Sequence, residues 1–420
     1  MSNVSFETPI SPELREQSGR RLTTARLLLL AALGLVLLSV VRVLTGAGDI
    51  TSSGLTAAAL GLAVPIGMAG LGGLWSERAG VINIGLEGML ILGTWGAGWA
   101  GYQYGPWAGL VFGIILGAVG GLIHAVATVT FGVDHIVSGV AINILGLGIT
   151  QYLSVVAFEG VEGGGPTQSP QIGNLGSFTV PGIASLLGNI EELEWFLVSD
   201  IAGVLRGLTY QVSWLTLIAV LLVPLTWFVL WRTAFGLRLR SCGEAPYAAE
   251  TLGVNVYLYK YVAVVTSGAL AGLGGAFLAI VSAGIYREGQ TGGRGYIGLA
   301  AMIFGNWRPG GTAAGAALFG YTDALQLRQG STVHALLLLV VIVLAVVAVL
   351  SFMRRRPRAA VISLIAAIVV LGWFLSTDEV PSQLTFATPY LTTLLVLSLA
   401  AQRLRPPAAD GIPYRRGEGG

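Results

Sequence analysis

"LLLLAALGLVLLSVVRVLTG", residues 27–46, decides the class of fold. Arg42 is its one charge. At about 1.5 Å per helical residue the run covers roughly 30 Å, the thickness of bilayer hydrocarbon. It is longer than the apolar core of a signal peptide, so it reads as a retained first span. Further runs of this kind follow at 51–73, 82–101, 107–131, 136–157, 213–231, 259–281, 333–353, 359–375 and 389–403. Backbone groups in lipid must be satisfied within the chain. Runs this long do so as helices, since barrel strands are shorter and alternate. The expected fold is an all-α integral membrane protein. It has about ten transmembrane helices plus a re-entrant pair of half-helices. That pair is read from "YIGLAAMIFGNWRPGGTAAGAALFGYTDALQ" (297–327), where "NWRPGG" breaks the helix between two short apolar pieces. Broken elements survive at membrane depth only under protein or beside a watery cavity.

Composition agrees. Of 420 residues, 54% are hydrophobic and 10% charged, with a mean hydropathy of +0.77. Soluble domains carry about 25% charged residues, so a soluble core is excluded. Cys242 is the only cysteine, which rules out an intrachain disulfide and a cysteine-built metal site. His124, His135 and His334 are dispersed, unlike the clustered ligands of a metalloenzyme, and no metal is expected. Lys260 is the only lysine and lies in "VYLYKYV", so a GxxxxGK[ST] phosphate loop is absent. If ATP drives this chain, another subunit supplies the site. One lysine among many arginines points to a GC-rich, prokaryotic genome.

Arginine placement orients the spans. Arg15, Arg20, Arg21 and Arg26 precede the first span, and Arg232, Arg238 and Arg240 follow the 213–231 run. "RRRPR" (354–358) separates two spans, and Arg403, Arg405, Arg415 and Arg416 close the chain. Ten crossings plus a re-entrant pair put all four clusters, and both termini, in the cytoplasm. The expected organisation is a cytoplasmic segment 1–26, a permeating membrane domain 27–403 and a cytoplasmic basic tail 404–420. Residues 158–212 then lie outside. They hold Glu159, Glu162, Glu191, Glu192, Glu194 and Asp200 against one arginine, Arg206. Within them "GGGPTQSPQIGN" reads as flexible loop and "EELEWFLVSDIAGVL" as an external amphipathic helix.

Gly109, Gly113, Gly117 and Gly121 recur every fourth residue on one helix face, and Gly268 and Gly272 repeat the spacing. Such small-xxx-small surfaces let helices approach closely. The contact they make is within this chain or with a second subunit.

Polar residues inside the spans are the candidates for a path. In "SERAGVINIGLEGML" (76–90), Asn83 and Glu87 stand at i and i+4. A helix starting near residue 82 would put both on one face, with Glu87 roughly 8 Å inside the boundary. A carboxylate there is costly. Either it pairs with nearby Arg78, or it faces an aqueous path or an interhelical network. Asp134 and His135 mark a turn, after which Ser138 and Asn143 enter the next span with Thr150 and Gln151. Asn143 either lines a path or bonds across helices, and His124, among glycines and alanines, reads as a packing histidine.

Residues 232–258 form the longest hydrophilic connection on the cytoplasmic side. Within it "APYAAETLGVN" suits a short helix, with proline in its first turn and glycine at its end. A short helix held out on two spans suits docking on a cytoplasmic partner.

"ERAGVINIGLEGML", "DHIVSGVAINILGLG", "LRSCGEAPYAAETLGVNV", "SGALAGLGGAFLA" and "RGYIGLAAMIFGNWRPGG" occur in this order. Together, across roughly residues 55 to 345, they resemble the permease subunits of ATP-binding-cassette (ABC) importers of the branched-chain amino acid and ribose type. More narrowly, they look like the branch serving nucleosides and simple sugars. The resemblance implies a multi-pass pore subunit in the cell membrane that is not an enzyme and holds no cofactor. ATP and magnesium would belong to partners: two nucleotide-binding ATPase domains, beside a second related permease and an external substrate-binding protein. Lipid is the expected surround, and nucleic acid is not an expected partner. The family's coupling segment is matched by Gly243, Glu244, Pro246, Tyr247, Ala248, Ala249 and Gly253, with Tyr247 standing at the usual glutamate position. An ion-coupled secondary transporter of small polar solutes is the alternative, and Glu87 would be its leading coupling carboxylate.

Overall fold

A computed structural model describes residues 24–325, 327–328, 330–386 and 404–417. The first basic cluster up to Arg21, the expected last span at 389–403 and Arg403 lie outside these residues. Each expected span from 27 to 375 has its helix. These are α1 (Thr24–Thr45), α2 (Ser53–Arg78), α3 (Leu86–Tyr104), α4 (Pro106–Ala125) and α5 (His135–Phe158). The outer segment adds α6 (Ile183–Glu191) and α7 (Val198–Gly207). Then follow α8 (Trp214–Arg232), α9 (Ala234–Glu244), α10 (Pro246–Thr251), α11 (Val256–Phe277), α12 (Arg294–Phe304) and α13 (Pro309–Leu325). The chain continues through α14 (Gly330–Met353), α15 (Pro357–Ser376) and α16 (Ser382–Phe386). Seven of the described helices are long and apolar enough to cross a membrane. The only paired strands among the described residues are Ser177–Phe178 and Val212–Ser213.

Capping explains where the helices begin. The side chains of Ser52, Asp134, Ser213, Thr233 and Asn255 each accept a backbone N–H from the first turn of α2, α5, α8, α9 and α11. These bonds satisfy donors that a helix start leaves orphaned.

α2 and α11 form the centre. α11 lies against α2, α3 and α4, while α12 and α13 lie along α2. α14 and α15 pair at the periphery with α1 against α14. The glycine stripes meet inside this chain. A Cβ on Gly121 would stand 2.6 Å from the Val264 carbonyl oxygen, and one on Gly268 would stand 2.8 Å from the Gly121 nitrogen. α4 and α11 therefore touch backbone to backbone, and Gly109 and Gly113 close in the same way on Ala97 and Gly93 of α3.

Three expectations need correction. The span 82–101 is not one helix, because residues 79–85 are non-helical and α3 starts only at Leu86. The broken pair is unequal. α12 has 11 residues, but α13 has 17 and runs antiparallel to α2, from Trp307 beside Arg78 to Leu325 beside Leu55. At 1.5 Å per residue, α13 covers about 25 Å, so only α12 is a half-helix. The outer helix expected over 191–205 is broken over 192–197, between the end of α6 and the start of α7, since Glu194 and Leu197 adopt positive φ. The split lets Asp200 bond the Leu197 N–H and bind Arg42 (2.8 Å) and Thr51, pinning the outer segment to α1 and α2. The glycine-rich loop is pinned too. Ser169 N–H donates to Tyr286 O (3.0 Å) and Ile172 N–H to Gly284 O (2.7 Å).

Candidate functional site

Residues 79–85, "AGVINIG", pass through the protein interior as irregular backbone. Leu86 sits beside Gly72 and Gly73 of α2, so α3 starts about 8 Å back from the Arg78 end. Such a segment is tolerable only when its polar groups find partners. Side chains from four helices supply them. Ser76 Oγ donates to Val81 O (2.6 Å) and Lys260 Nζ to Gly80 O (3.2 Å). Ile82 N–H donates to His135 Nδ1 (3.2 Å), and Ile82 O accepts from His124 Nε2 (3.0 Å). The proton that His124 gives to that carbonyl leaves its Nδ1 to accept from Ser138 Oγ (2.8 Å). Asn143 Nδ2 donates to Ile84 O (3.0 Å) and Asn83 Oδ1 accepts from Gly85 N–H (3.1 Å).

This places the expected path residues. Asn83 and Glu87 do not share a helix face. Asn83 precedes α3 and is fully buried, with its Nδ2 on Ser267 Oγ (2.8 Å). Ser138 is committed to His124, which packs as expected. Asn143 bridges three elements: its Oδ1 accepts from Gly88 N–H (2.7 Å), and its Nδ2 also reaches the Tyr296 hydroxyl (3.0 Å).

Glu87 lies in the first turn of α3, where the helix dipole favours an anion. Its Oε1 accepts from Gly293 N–H (3.0 Å) and its Oε2 from Gly295 N–H (2.6 Å). Those are the N-terminal amides of α12. A Cβ on Gly295 would stand 2.6 Å from Glu87 Cα, so glycine is what allows the approach. One carboxylate thus joins the starts of two shortened helices. Gly298 of α12 packs on Ile66, Ala69 and Gly70, about the middle of α2, so the junction lies well inside the bundle. Arg78 does not pair with Glu87. It turns to Trp307 O (2.7 Å) and Glu244 (3.7 Å).

Several residues here were not singled out from sequence. Tyr296 is half exposed beside Asn143. Arg294 pairs with Asp323 at 2.9 Å, a second charged element within the bundle. The signal for it was an aspartate inside the apolar run "GAALFGYTDAL".

The 232–258 segment forms the expected short helix. Pro246 opens α10, and Gly253 just beyond it takes φ +80°. Pro246 and Ala249 are buried, while Glu244, Ala248 and Gly253 face out. Leu252 is 84% exposed at the tip. Tyr247 turns back toward the protein onto Tyr414, with ring centroids 5.3 Å apart. Gly243 abuts the end of α2 and the irregular segment. A Cβ there would stand 2.9 Å from Gly80 N. Burial pushes the Cys242 thiol up to about 11, so it is an inert packing group.

A bundle with seven described helices long and apolar enough to cross a membrane defines a multi-pass membrane protein. Residues 55–350 match the family described as the permease component of the branched-chain amino acid transport system, and the chain belongs to that family. In such ABC systems separate subunits hydrolyse ATP, and the permease is not itself the enzyme. The chain is 32% identical to the guanosine ABC transporter permease protein NupQ of Bacillus subtilis, over 86% of this chain and 96% of the relative. It is also 32% identical to the nucleoside ABC transporter permease protein NupC of Lactococcus lactis, over 83% and 93%. A putative glucose ABC transporter permease protein, TsgC13 of Haloferax volcanii, is 32% identical over 84% and 93%. No solved structure matches the chain.

Proposed function

We propose that this chain forms the translocation path of an importer for nucleosides, in the cell membrane of a prokaryote. The observation that carries the substrate class is the likeness to NupQ along nearly the whole chain. A sugar substrate is the second reading, favoured by the equally similar Haloferax relative. Both are neutral, hydroxyl-rich solutes that suit a sparsely polar path. ATP and magnesium bind on two nucleotide-binding domains, and an external binding protein delivers the solute. A second permease closes the path along the open side of α5 and α12, where Asn143 and Tyr296 sit. Both termini and α9–α10 are cytoplasmic.

Coupling follows the backbone. α10 docks on an ATPase domain, and its motion passes through Gly243 to Gly80 and the irregular segment 79–85. That segment leads to Glu87, which holds the start of α12. Short irregular connections between rigid helices absorb such motion. Ion coupling fits less well, because both Glu87 oxygens already accept backbone N–H groups.

The test is reconstitution of the complex purified through this chain. We expect an ATPase subunit and a second permease to co-purify, and guanosine uptake into proteoliposomes to require ATP. Uptake by the chain alone without ATP would overturn this reading, and ATP-dependent uptake of glucose but not guanosine would replace the substrate.

A further inference from the structure

Residues 404–417 lie outside the family match, yet they run along the whole coupling face. Arg405 N–H donates to Asn306 Oδ1 (2.8 Å) in the turn between α12 and α13. Ala408 N–H donates to Glu244 Oε2 (3.2 Å), and Ala409 N–H to Gly243 O (2.8 Å) at the end of α9. Asp410 is inserted beneath the face, where its carboxyl faces Glu77 of α2, Lys260 and Arg78. The Tyr414 ring packs on Tyr247 of α10 (centroids 5.3 Å) and Tyr257 of α11 (5.4 Å), within a buried cluster that includes Cys242, Ala249 and Val256. Arg416 reaches Glu250 of α10 at 3.4 Å.

We propose that this C-terminal segment is a strap that positions the coupling helix, with Tyr414 as the positioning residue that ties α10 to α11 and Asp410 as the anchor to α2. The proposal rests on the reading of α9–α10 as the ATPase-docking segment. α10 has six residues, too few to hold a shape alone. Its orientation is set by what its inner face packs on. On that inner face, Tyr247 stands where the family's pattern places a glutamate, and the strap supplies its aromatic partner. The two tyrosine side chains replace a charge with an apolar contact. A load applied at Leu252 then moves α9, α10, α11 and the α12–α13 turn together. Without the strap, α10 tilts on its hinges at Ala245 and Gly253, and hydrolysis proceeds without moving the path.

The test uses the full complex in proteoliposomes, with Tyr414→Ala, Tyr414→Phe and removal of residues 411–420. The readout is substrate moved per ATP hydrolysed, beside the amount of ATPase subunit retained on the permease. We expect Tyr414→Ala and the truncation to lower transport per ATP about fivefold to tenfold, the scale of losing two aromatic pairs. ATPase retention should stay within about twofold, since the docking surface itself is untouched. Tyr414→Phe keeps the rings and should restore wild-type coupling, which a merely misfolded tail would not do. If Tyr414→Ala fails to accumulate, the truncation alone decides. Unchanged transport per ATP in the truncated complex overturns the strap while leaving the docking reading intact. A wild-type chain that retains no ATPase subunit overturns both.

Discussion

Glu87 sits inside a membrane bundle without an ionic partner among the described residues. Two backbone amides and two helix starts stabilise its charge, and no arginine is needed. Glu87→Ala should leave both amides of α12 buried and unpaired. Hydrogen bonds to charged groups contribute roughly 1.5–3 kcal/mol each, so we expect a loss of about 3 kcal/mol or more, read as a lowered Tm of the purified complex. Glu87→Gln keeps one acceptor oxygen and should fall between. Asp410 makes the opposite case. Burial, first, raises its carboxyl to about 7 from 3.8, against the lowering effects of the neighbouring Glu77, Lys260 and Arg78. A raised carboxyl favours the docked state while protonated. Docking strength is therefore complete below pH 3.8, falls as pH rises toward 7, and levels off above it. Between those limits the free tail population should grow up to about tenfold per pH unit. Tryptic release of the tail, scaled to Asp410→Asn at each pH, measures this. The asparagine variant should show a much weaker dependence, because only Glu77 of the coupled pair remains, and a flat ratio for the wild type would contradict the assignment.

Elements differ in how far their sequences reveal them. The contact faces of α4 and α11 are predictable from glycine spacing, because four-residue periodicity maps directly onto one helix face, but the spacing does not say that they meet each other. Their packing predicts that Gly272→Ala, whose Cβ would stand 2.9 Å from Gly117 Cα, forces the helices apart. We expect about 1–3 kcal/mol of destabilisation from this overpacking, measured by thermal unfolding. Gly148→Ala, with no atom within 4 Å of its Cβ, should be silent. The short helix α10 was legible for a similar local reason, since Pro246 and Gly253 act on their own backbone. The break before α3 was not. Its residues, "AGVINIG", are apolar, so a hydropathy reading runs straight through them. What makes the break possible is spread over α2, α4, α5 and α11, in Ser76, His124, His135, Asn143 and Lys260. Asn143, His124 and Ser138 were recognised as unusual, but their task could only be read once the segment they serve had been located. The strap was illegible for the same reason. Nothing local in "RPPAADGIPYRR" announces that Asp410 meets Glu77 or that Tyr414 meets Tyr247.

At the scale of the whole molecule, the segment proposed to dock the ATPase leaves one large apolar side chain with almost no internal contact. Leu252 is a large apolar side chain left 84% exposed at the tip of α10, beside a strap that braces everything beneath it. A lone exposed leucine needs no explanation elsewhere on a surface. Here it follows α10, the short helix proposed to dock, and its helix is fixed from behind. Interfaces concentrate their energy in few such anchors at the centre of contact. Leu252→Asp should therefore weaken retention of the ATPase subunit strongly. A loss of about 2 kcal/mol corresponds to roughly 30-fold in affinity. The permease should be unharmed in itself, with an unchanged Tm in detergent, since the side chain buries almost nothing. That separation is the point of the measurement. The Tyr414 variants should lose coupling while keeping the partner, whereas Leu252→Asp should lose the partner while keeping the fold. If Leu252→Asp retains the ATPase subunit as the wild type does, docking occurs elsewhere on the face, and Ala248 and Thr251 on the outward side of α10 become the residues to change next.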